Sequence, residues 1–287
     1  MVMSPLLPGE EAAAGGFEIV VSTPDGRDRA LAAGPLAVHV KVETGMGRWG
    51  LTPEAALDLG RRLAEDPSGP RLAGLMTHLA TSEEPDTAFA ERQLARFRAV
   101  AAAFPACPRH VANSGGILRL KDAAFDGARP GVALYGIAPD DADPTRDGLT
   151  PVLRWTSRVA AVRTLGRGDS AGYGRRLVAR GPTRVAIVPT GYADGYPRPA
   201  SGRTAVLIGG VRCPVDATVA MDAMMVTLPS SLRVEVGDRV TLIGRDGAER
   251  VGIEDLARAA GTIGYEVACG LRARPERVRR VVEDHGG

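Results

Sequence analysis

Short apolar runs alternate with helical patterns along the first half of the chain. Residues 53–64, which follow Thr52 as a candidate N-cap, and residues 85–103 have helical spacing and are rich in Ala, Leu, Arg and Glu. The strand-like runs between them lie at residues 1–7, 17–21, 38–42, 72–76 and 110–112, with a weaker run ending at Arg129. Strands that alternate with helices predict parallel βαβ units. Six strands are visible, and an eight-stranded barrel needs two more.

The pattern changes after Tyr135. Residues 140–148 are polar and rich in turn formers, as expected of a domain boundary. Beyond them, β-like runs separated by Gly and Pro occupy residues 158–165, 184–188, 204–208, 224–228 and 239–243, and one helical pattern covers residues 253–260. We therefore predict an α/β domain over residues 1–140 and a mainly-β domain over residues 149–287.

Composition excludes several classes of function. The chain has 287 residues, of which 44% are hydrophobic and 24% charged, so it can bury a core. A net charge of +2, scattered basic residues and 4% aromatic residues argue against nucleic-acid binding. Cys107, Cys213 and Cys269 are far apart and indicate neither a disulfide framework nor a metal site. With no membrane-length apolar stretch, and an apolar start too short for a signal peptide, we expect a cytoplasmic protein.

Residues 38–50 are the most informative stretch. Three valines alternate with His39 and Lys41, which is typical of a strand, and three glycines then surround Arg48. Glycine permits a close approach of the backbone to another group. On pattern alone, the stretch is either a strand-to-helix turn with solvated basic ends or the edge of a binding site.

The same stretch carries a family resemblance. The string His-Val-Lys-Val-Glu-Thr-Gly-Met-Gly-Arg-Trp-Gly at residues 39–50 resembles the Lys-Val-Asp-Thr-Gly-Met-Gly-Arg segment of alanine racemases. Later strings match that family in the same order, namely Asn-Ser-Gly-Gly at 113–116, Gly-Tyr-Ala-Asp-Gly at 191–195, Ala-Met-Asp at 220–222 and Thr-Ile-Gly-Tyr at 262–265. The resemblance implies a fold-type III enzyme that uses pyridoxal 5'-phosphate. It also implies an α/β fold, an incomplete (β/α)8 TIM-type barrel lacking its first two strands, followed by a C-terminal mainly-β domain.

The resemblance assigns catalytic roles to three residues. Tyr173, in a glycine-rich loop, matches the family's second base, which enters the partner's barrel, so we expect a homodimer with shared active sites. His78, at the end of an apolar strand, matches the histidine that orients and tunes this tyrosine. Arg129 matches the arginine that faces the pyridine nitrogen of the cofactor and, because it stays charged, leaves that nitrogen unprotonated. Without the resemblance, a tyrosine such as Tyr173 is more often a surface anchor than a site residue, and His78 is as readily a satisfied core or surface histidine as a site residue.

Binding roles follow from the same resemblance. Substrate binding is assigned to Arg48, Met221, Asp222 and Tyr192. Cofactor binding is assigned to Ser114, Asn113, Gly131, Val132, Arg129 and Tyr265. On pattern alone, Asn-Ser-Gly-Gly is an ordinary turn as readily as a phosphate site. Lys41 matches a lysine that is often carbamylated and positions the substrate arginine, and no metal is implied.

The sequence also departs from the family. Glu43 replaces an aspartate, and Ala220 replaces a cysteine. The family's cofactor lysine, in a segment like Val-Val-Lys-Ala-Asn-Ala-Tyr-Gly-His-Gly, has no counterpart, since Lys41 and Lys121 are the only lysines. We therefore expect this chain alone to be inactive. The open explanations are a start codon placed too far downstream, a decayed remnant, and takeover by one of the two lysines.

The predicted function is the interconversion of L- and D-alanine, which supplies D-alanine for peptidoglycan. Alternatives are an inactive remnant that still binds the cofactor or a partner, and a racemase for another small amino acid. A barrel-type amino-acid decarboxylase is a further alternative. The chain lacks that group's Gly-Gly-Gly phosphate loop and its Cys-Asp-type substrate motif. Neither nucleic acid nor membrane is expected as a partner.

Overall fold

The computed structural model describes residues 1–10, 16–32 and 36–272. Contacts divide the chain into two compact units, Met1–Leu134 and Tyr135–Gly287. Within the described ranges, every helix is too short or too polar to cross a membrane.

The first unit is a parallel sheet whose strands are connected by helices. Its strands are β1 (Glu18–Val21), β2 (Ala37–Lys41), β3 (Arg71–Met76) and β4 (Arg109–His110), and its helices are α1 (Pro24–Ala32), α2 (Pro53–Glu65), α3 (Ala88–Ala103) and α4 (Ser114–Arg119). The strands lie in the order β1-β2-β3-β4, and all neighbours are parallel. The expectation of βαβ units is therefore confirmed.

The two outermost strands predicted for this unit shrink to isolated bridges. Val2 pairs in parallel with Ile19 beside β1, and Gly127 pairs in parallel with His110 beside β4. The prediction of full strands there is wrong. Pro5, inside the first run, has no N–H to donate to a ladder, and Pro130 has the same effect just after the last one.

Helix α2 shows how the local sequence places an element on the sheet. The hydroxyl of Thr52 accepts a hydrogen bond from the backbone N–H of Ala55 at 3.2 Å, which caps the first turn as predicted. The helix buries a single stripe at helical spacing, which consists of Ala56, Leu59, Gly60 and Leu63. The end of the loop that carries Arg48, at the buried Leu51, is thereby fixed against the core.

The second unit is built mainly from antiparallel strands. Its strands are β5 (Trp155–Arg158), β6 (Ala161–Leu165), β7 (Ser170–Ala171), β8 (Leu177–Val178), β9 (Thr183–Val188), β10 (Ala205–Ile208), β11 (Val211–Pro214), β12 (Met224–Thr227), β13 (Arg239–Asp246) and β14 (Glu249–Val251), followed by helices α5 (Ile253–Ala260) and α6 (Gly264–Gly270). A five-stranded sheet has the order β11-β10-β13-β14 with β5 on β13, a three-stranded sheet has the order β12-β9-β6, and β7 pairs with β8.

Two predictions for this unit need correction. The single run expected at 158–165 is two strands in two different sheets, because the N–H of Val159 bonds to Asp238 and the N–H of Ala160 bonds to Ile187. Helix α5 is confirmed, but α6 follows it and was missed. Helix α6 is short, and glycines at both of its ends weaken the helical signal.

Candidate active site

The guanidinium of Arg129 has four close hydrogen-bonding contacts. Its Nη1 lies 2.7 Å from both Nδ1 and the carbonyl oxygen of His110, and its Nη2 donates to the carbonyls of Thr77 at 2.6 Å and Val111 at 2.9 Å. A guanidinium has five N–H donors, so these four acceptors leave only the Nε–H, which is buried and has no partner among the described residues. Burial lowers the pKa of Arg129 to about 10, and the group stays charged at neutral pH.

Lys41, the last residue of β2, is buried near Arg129. Burial, followed by the charges of Arg48 and Arg129, lowers its pKa to about 8, against a smaller opposing effect of Glu43. The ring of Trp49 lies 5.9 Å from the Lys41 ammonium and 5.3 Å from the Arg48 guanidinium. Three cationic side chains thus share one region, which favours an anionic ligand there.

His78 follows β3, and a buried amide holds its backbone. The Nε2 of Gln93 on α3 donates to the His78 carbonyl at 3.0 Å, and its Oε1 accepts from the N–H of Ala80 at 2.8 Å. Burial first, and then the charges of Arg129, Lys41 and Arg48, lower the pKa of His78 to about 4, so the ring is neutral at pH 7. Its Nδ1 is buried and has no hydrogen-bond partner within the described part of the chain.

Ser114 joins two loops at the start of α4. Its buried hydroxyl oxygen accepts hydrogen bonds from the N–H groups of Gly131 at 2.9 Å and Ala133 at 3.2 Å. Asn113 caps the helix by accepting from Gly116 at 2.9 Å. The sequence-predicted cofactor residues Ser114, Gly131 and Asn113 are therefore neighbours, and the buried Val132 lies within the same loop.

Tyr173 stands at the turn between β7 and β8 in the second unit. Gly172 and Gly174 on either side have φ values of 78° and 69°, which a residue with a Cβ adopts only at a cost. The Tyr173 carbonyl accepts from the hydroxyl of Thr218 at 2.8 Å, while 71% of the residue is exposed. The backbone of the turn is fixed, and the phenol projects from it.

The second unit brings two further predicted residues together. The N–H of Tyr192 donates to the carbonyl of Ala220 at 3.0 Å, and the N–H of Ala193 donates to Met221 at 2.9 Å. A Cβ added to Gly191 would lie 2.3 Å from the Ala220 oxygen, so glycine allows this close approach. Tyr192 and Met221 are exposed by 42% and 58%. Asp222 is also exposed, and Tyr265 lies half-buried on α6.

Sequence reasoning missed several residues that hold this site. Gln93 also donates to the hydroxyl of Thr44 at 3.2 Å, and the hydroxyl oxygens of Thr44 and Thr77 are 2.8 Å apart. Since Thr77 donates onward to the Val42 carbonyl at 2.9 Å, these groups connect the ends of β2 and β3. The sequence offered one signal for them, which is a single glutamine on the apolar face of a predicted helix.

Glu43, which departs from the resemblance, has a defined role. Burial raises the pKa of its carboxyl group, but the backbone N–H groups of Gly45, Gly47 and Met46 outweigh burial and hold the pKa below its usual value. The hydrogen bond from the Gly45 N–H is 2.5 Å long. The Glu43 carboxylate therefore organises the glycine loop that leads to Arg48.

Comparisons with known proteins agree across nearly the whole chain. The family model described as alanine racemase, N-terminal domain, matches residues 1–139, and the model described as alanine racemase, C-terminal domain, matches residues 152–279. The alanine racemase of Symbiobacterium thermophilum is 44% identical over 87% of this chain, and that match spans 66% of the relative. The chain thus spans about two thirds of the length of such curated relatives.

Solved structures give the same answer. The alanine racemase from E. faecalis is 35% identical with a TM-score of 0.87, and the match covers 94% of this chain and 75% of that one. The alanine racemase from Bartonella henselae with covalently bound pyridoxal phosphate is 27% identical with a TM-score of 0.83, covering 95% of this chain and 76% of that one. The fold expected from the resemblance, an α/β-barrel domain followed by a β domain, is confirmed. This chain belongs to the alanine racemase family.

Proposed function

We propose that this chain carries the binding and proton-transfer machinery of a pyridoxal 5'-phosphate-dependent racemase that interconverts L- and D-alanine. The observation that carries the proposal is the basic cluster in the first unit, where the buried Lys41 and the half-buried Arg129 lie near a neutral His78. The names of relatives with this arrangement of motifs support alanine as the substrate. Another small amino acid remains the alternative.

The residues of the first unit fit this cofactor. Ser114, Asn113, Gly131 and Val132 would hold its phosphate, and the resemblance alone adds Tyr265 of the second unit. A Cβ added to Gly131 would meet nothing within 4 Å, so this loop has open space on that side. Arg129 would offer its one unpaired donor, the Nε–H, to the ring nitrogen. When bound, pyridoxal phosphate withdraws electrons from the substrate and makes its α-proton acidic.

Tyr173 would move one of the transferred protons. A free phenol has a pKa of about 10, so it acts as a base near neutrality only beside positive or hydrogen-bonding groups. The exposure of 71% supports a role across a homodimer interface, where the basic cluster of the partner subunit would supply these groups. His78, with its unpaired Nδ1, would orient the phenol. Arg48 would bind the substrate carboxylate. The substrate roles of Met221, Asp222 and Tyr192 in the second unit rest on the resemblance alone.

Cofactor binding gives a direct test. We expect the Ser114→Ala variant to bind pyridoxal phosphate about tenfold more weakly, because one hydrogen bond to a charged group is lost. Quenching of tryptophan fluorescence measures the dissociation constant. The matched control is Ser231→Ala, in an exposed loop of the second unit. Equal affinity in both variants would exclude Ser114 as a phosphate ligand.

Lys41 gives a second test. Its lowered pKa of about 8 increases the fraction of neutral amine, which adds to carbon dioxide and releases a proton to form a carbamate. With ¹³C-labelled bicarbonate we expect a protein carbamate resonance that Lys41→Arg removes, while any resonance of the N-terminal amine is left in place. Lys121→Arg is the matched control, because Lys121 is exposed and is the only other lysine. A carbamate spectrum that Lys41→Arg leaves unchanged would refute the assignment.

Activity of the chain by itself is a separate prediction. We expect the purified 287-residue chain to lack racemase activity, because neither of its two lysines is placed to bind the cofactor covalently. Lys41 lies beside Arg48 and Arg129, and Lys121 lies on the surface. A coupled D-amino-acid oxidase assay with added pyridoxal phosphate measures this. Robust racemisation would overturn the expectation, and its loss in Lys41→Arg would then identify the amine.

A further inference from the structure

A chain of side chains runs from Arg129 through the sheet to the surface. Nη1 of Arg129 lies 2.7 Å from Nδ1 of His110, and Nε2 of His110 lies 2.8 Å from Nδ1 of His39. Nε2 of His39 then lies 3.1 Å from a carboxylate oxygen of Glu18, whose side chain is 48% exposed. We call these four residues the Glu18–Arg129 relay.

The chemistry of its two ends gives the relay one direction. Arg129 has only donors, so Nδ1 of His110 must be the acceptor and the proton of that ring must lie on Nε2. His110 then donates to Nδ1 of His39, and the proton of His39 lies on Nε2, from which it is donated to the Glu18 carboxylate. Both rings are therefore neutral and share one tautomer. The hydrogen-bond network alone assigns this tautomer.

Gly74 makes the contact between the two histidines possible. His39 is on β2 and His110 is on β4, with β3 lying between them. Gly74 of β3 is the residue paired with His39, and a Cβ on it would lie 2.6 Å from Nδ1 of His39. Any other residue at this position would fill the space through which the rings meet.

We propose that Glu18 and His39 are positioning residues for Arg129. The Glu18 carboxylate polarises His39, His39 holds His110 in the tautomer with a free Nδ1, and that nitrogen fixes one side of the guanidinium. The three backbone carbonyls fix the rest, so the Nε–H points in one direction only. The effect of this positioning on cofactor binding rests on the proposed function, whereas the hydrogen-bonded relay itself does not.

The relay can be tested on cofactor-free protein. Long-range ¹H–¹⁵N correlations of histidine-labelled protein identify which ring nitrogen is protonated, and the chain has only four histidines to assign. At pH 7 we expect His39 and His110 as neutral Nε2–H tautomers. A protonated Nδ1 on either ring would overturn the relay.

Two variants test its parts. Glu18→Gln keeps an acceptor for His39 but removes the charge, and we expect about threefold faster exchange of the Arg129 Nη protons, since charge-assisted hydrogen bonds are about twice as strong as neutral ones. Gly74→Ala should displace His39 and mix the tautomers of His110. The matched control is Glu54→Gln, at an exposed position in the first turn of α2. Exchange in Glu18→Gln at the control rate would refute the role of the carboxylate.

The link to the cofactor has its own readout. We expect Glu18→Gln to weaken pyridoxal phosphate binding by about threefold, in step with the proton exchange, while Glu54→Gln leaves it unchanged. Normal affinity beside altered exchange would overturn the positioning role. No binding by any protein, with the tautomers as expected, would instead refute the proposed function and leave the relay intact.

Discussion

The candidate residues of the two units differ in how the protein holds them. In the first unit, Lys41 and Arg129 are surrounded by protein, and every Nη proton of Arg129 has an acceptor. In the second unit, Tyr173 and Met221 project from turns, and only their backbones are fixed. A buried charge requires charged or hydrogen-bonding partners within the same folded unit, whereas an exposed phenol does not, because water solvates it. The first unit is thus preorganised, and the second leaves these side chains exposed.

The architectures explain this difference. Parallel strands are covered on both faces, so polar residues at their carboxyl ends meet at one buried edge. Antiparallel hairpins end in tight turns, and a residue such as Tyr173 between two glycines has little protein around it. The chain has two tryptophans, Trp49 in the first unit and Trp155 in the second, so each unit can be followed separately.

The largest expected effect is that of Arg129→Ala. It leaves three carbonyls and one histidine nitrogen without their donor, so we expect the free energy of unfolding to fall by about 3–5 kcal/mol. Urea unfolding followed by Trp49, in a Trp155→Phe background, measures it. Arg175→Ala in the second unit removes exposed contacts to Ser170 and Gly168 and should cost below about 0.5 kcal/mol. If both variants lost a similar free energy of unfolding, the proposed difference between the two units would be wrong.

Gln93→Met should have the next largest effect. The side chain keeps its volume but loses hydrogen bonds to Ala80, Thr44 and the His78 carbonyl, and we expect a loss of about 2–3 kcal/mol. Urea unfolding followed by Trp49 applies again. The control is Arg92→Met, an exposed neighbour on α3. An equal loss in the control would mean that the helix, not the amide, is responsible.

Acid should destabilise the first unit by a smaller amount. Burial lowers the pKa values of His78 and His110 to about 4 from their ordinary 6.5, so the unfolded chain binds protons first as the pH falls. The stabilisation is complete above pH 6.5 and is lost towards pH 4. Discounted for partial exposure to solvent, it is about 1 kcal/mol per histidine.

The measurement is the urea midpoint between pH 7 and pH 4.5, followed by Trp49. His78→Asn should remove about half of the change, since one of two histidines is lost. The described part of the second unit has no histidine, so Trp155 should report a smaller shift. A slope that His78→Asn leaves unchanged would contradict the assignment.

Tyr173→Phe should have the smallest effect on stability. The residue is 71% exposed, so we expect a change below about 0.5 kcal/mol in the unfolding of the second unit, followed by Trp155. In an active racemase the same change should lower kcat by about 10²–10⁴-fold, the usual contribution of a general base. If the free energy of unfolding fell by more than about 1 kcal/mol while kcat stayed unchanged, Tyr173 would be a structural residue.

Local rules predicted much of the fold. Thr52 and the helical spacing after it predicted α2, and the helical pattern at residues 253–260 predicted α5. The division of residues 158–165 between two sheets could not be predicted, because distant strands decide it.

The candidate site was predictable only as a set of residues. Alternation in β2 gave His39 and Lys41 a polar face, yet both faces of this parallel strand are buried. The neighbours of His39 lie on three other strands, namely Glu18 on β1, Gly74 on β3 and His110 on β4. Nothing in the sequence around Gly74 indicates that it leaves room for the two histidine rings. Residue types can be read locally, but their contacts depend on the register of the sheet. The assigned roles of Tyr173 and the other site residues stay predictions.

The short passage from β5 to β6 has a mechanical consequence. Val159 and Ala160 are the only residues between two strands that belong to different sheets, and each donates its N–H to a different sheet. Pulling the sheets apart would therefore stretch a covalent link of two residues and break both bonds at once. We expect the amide protons of β9 and β13 to exchange with similar protection, as one cooperative body, rather than sheet by sheet.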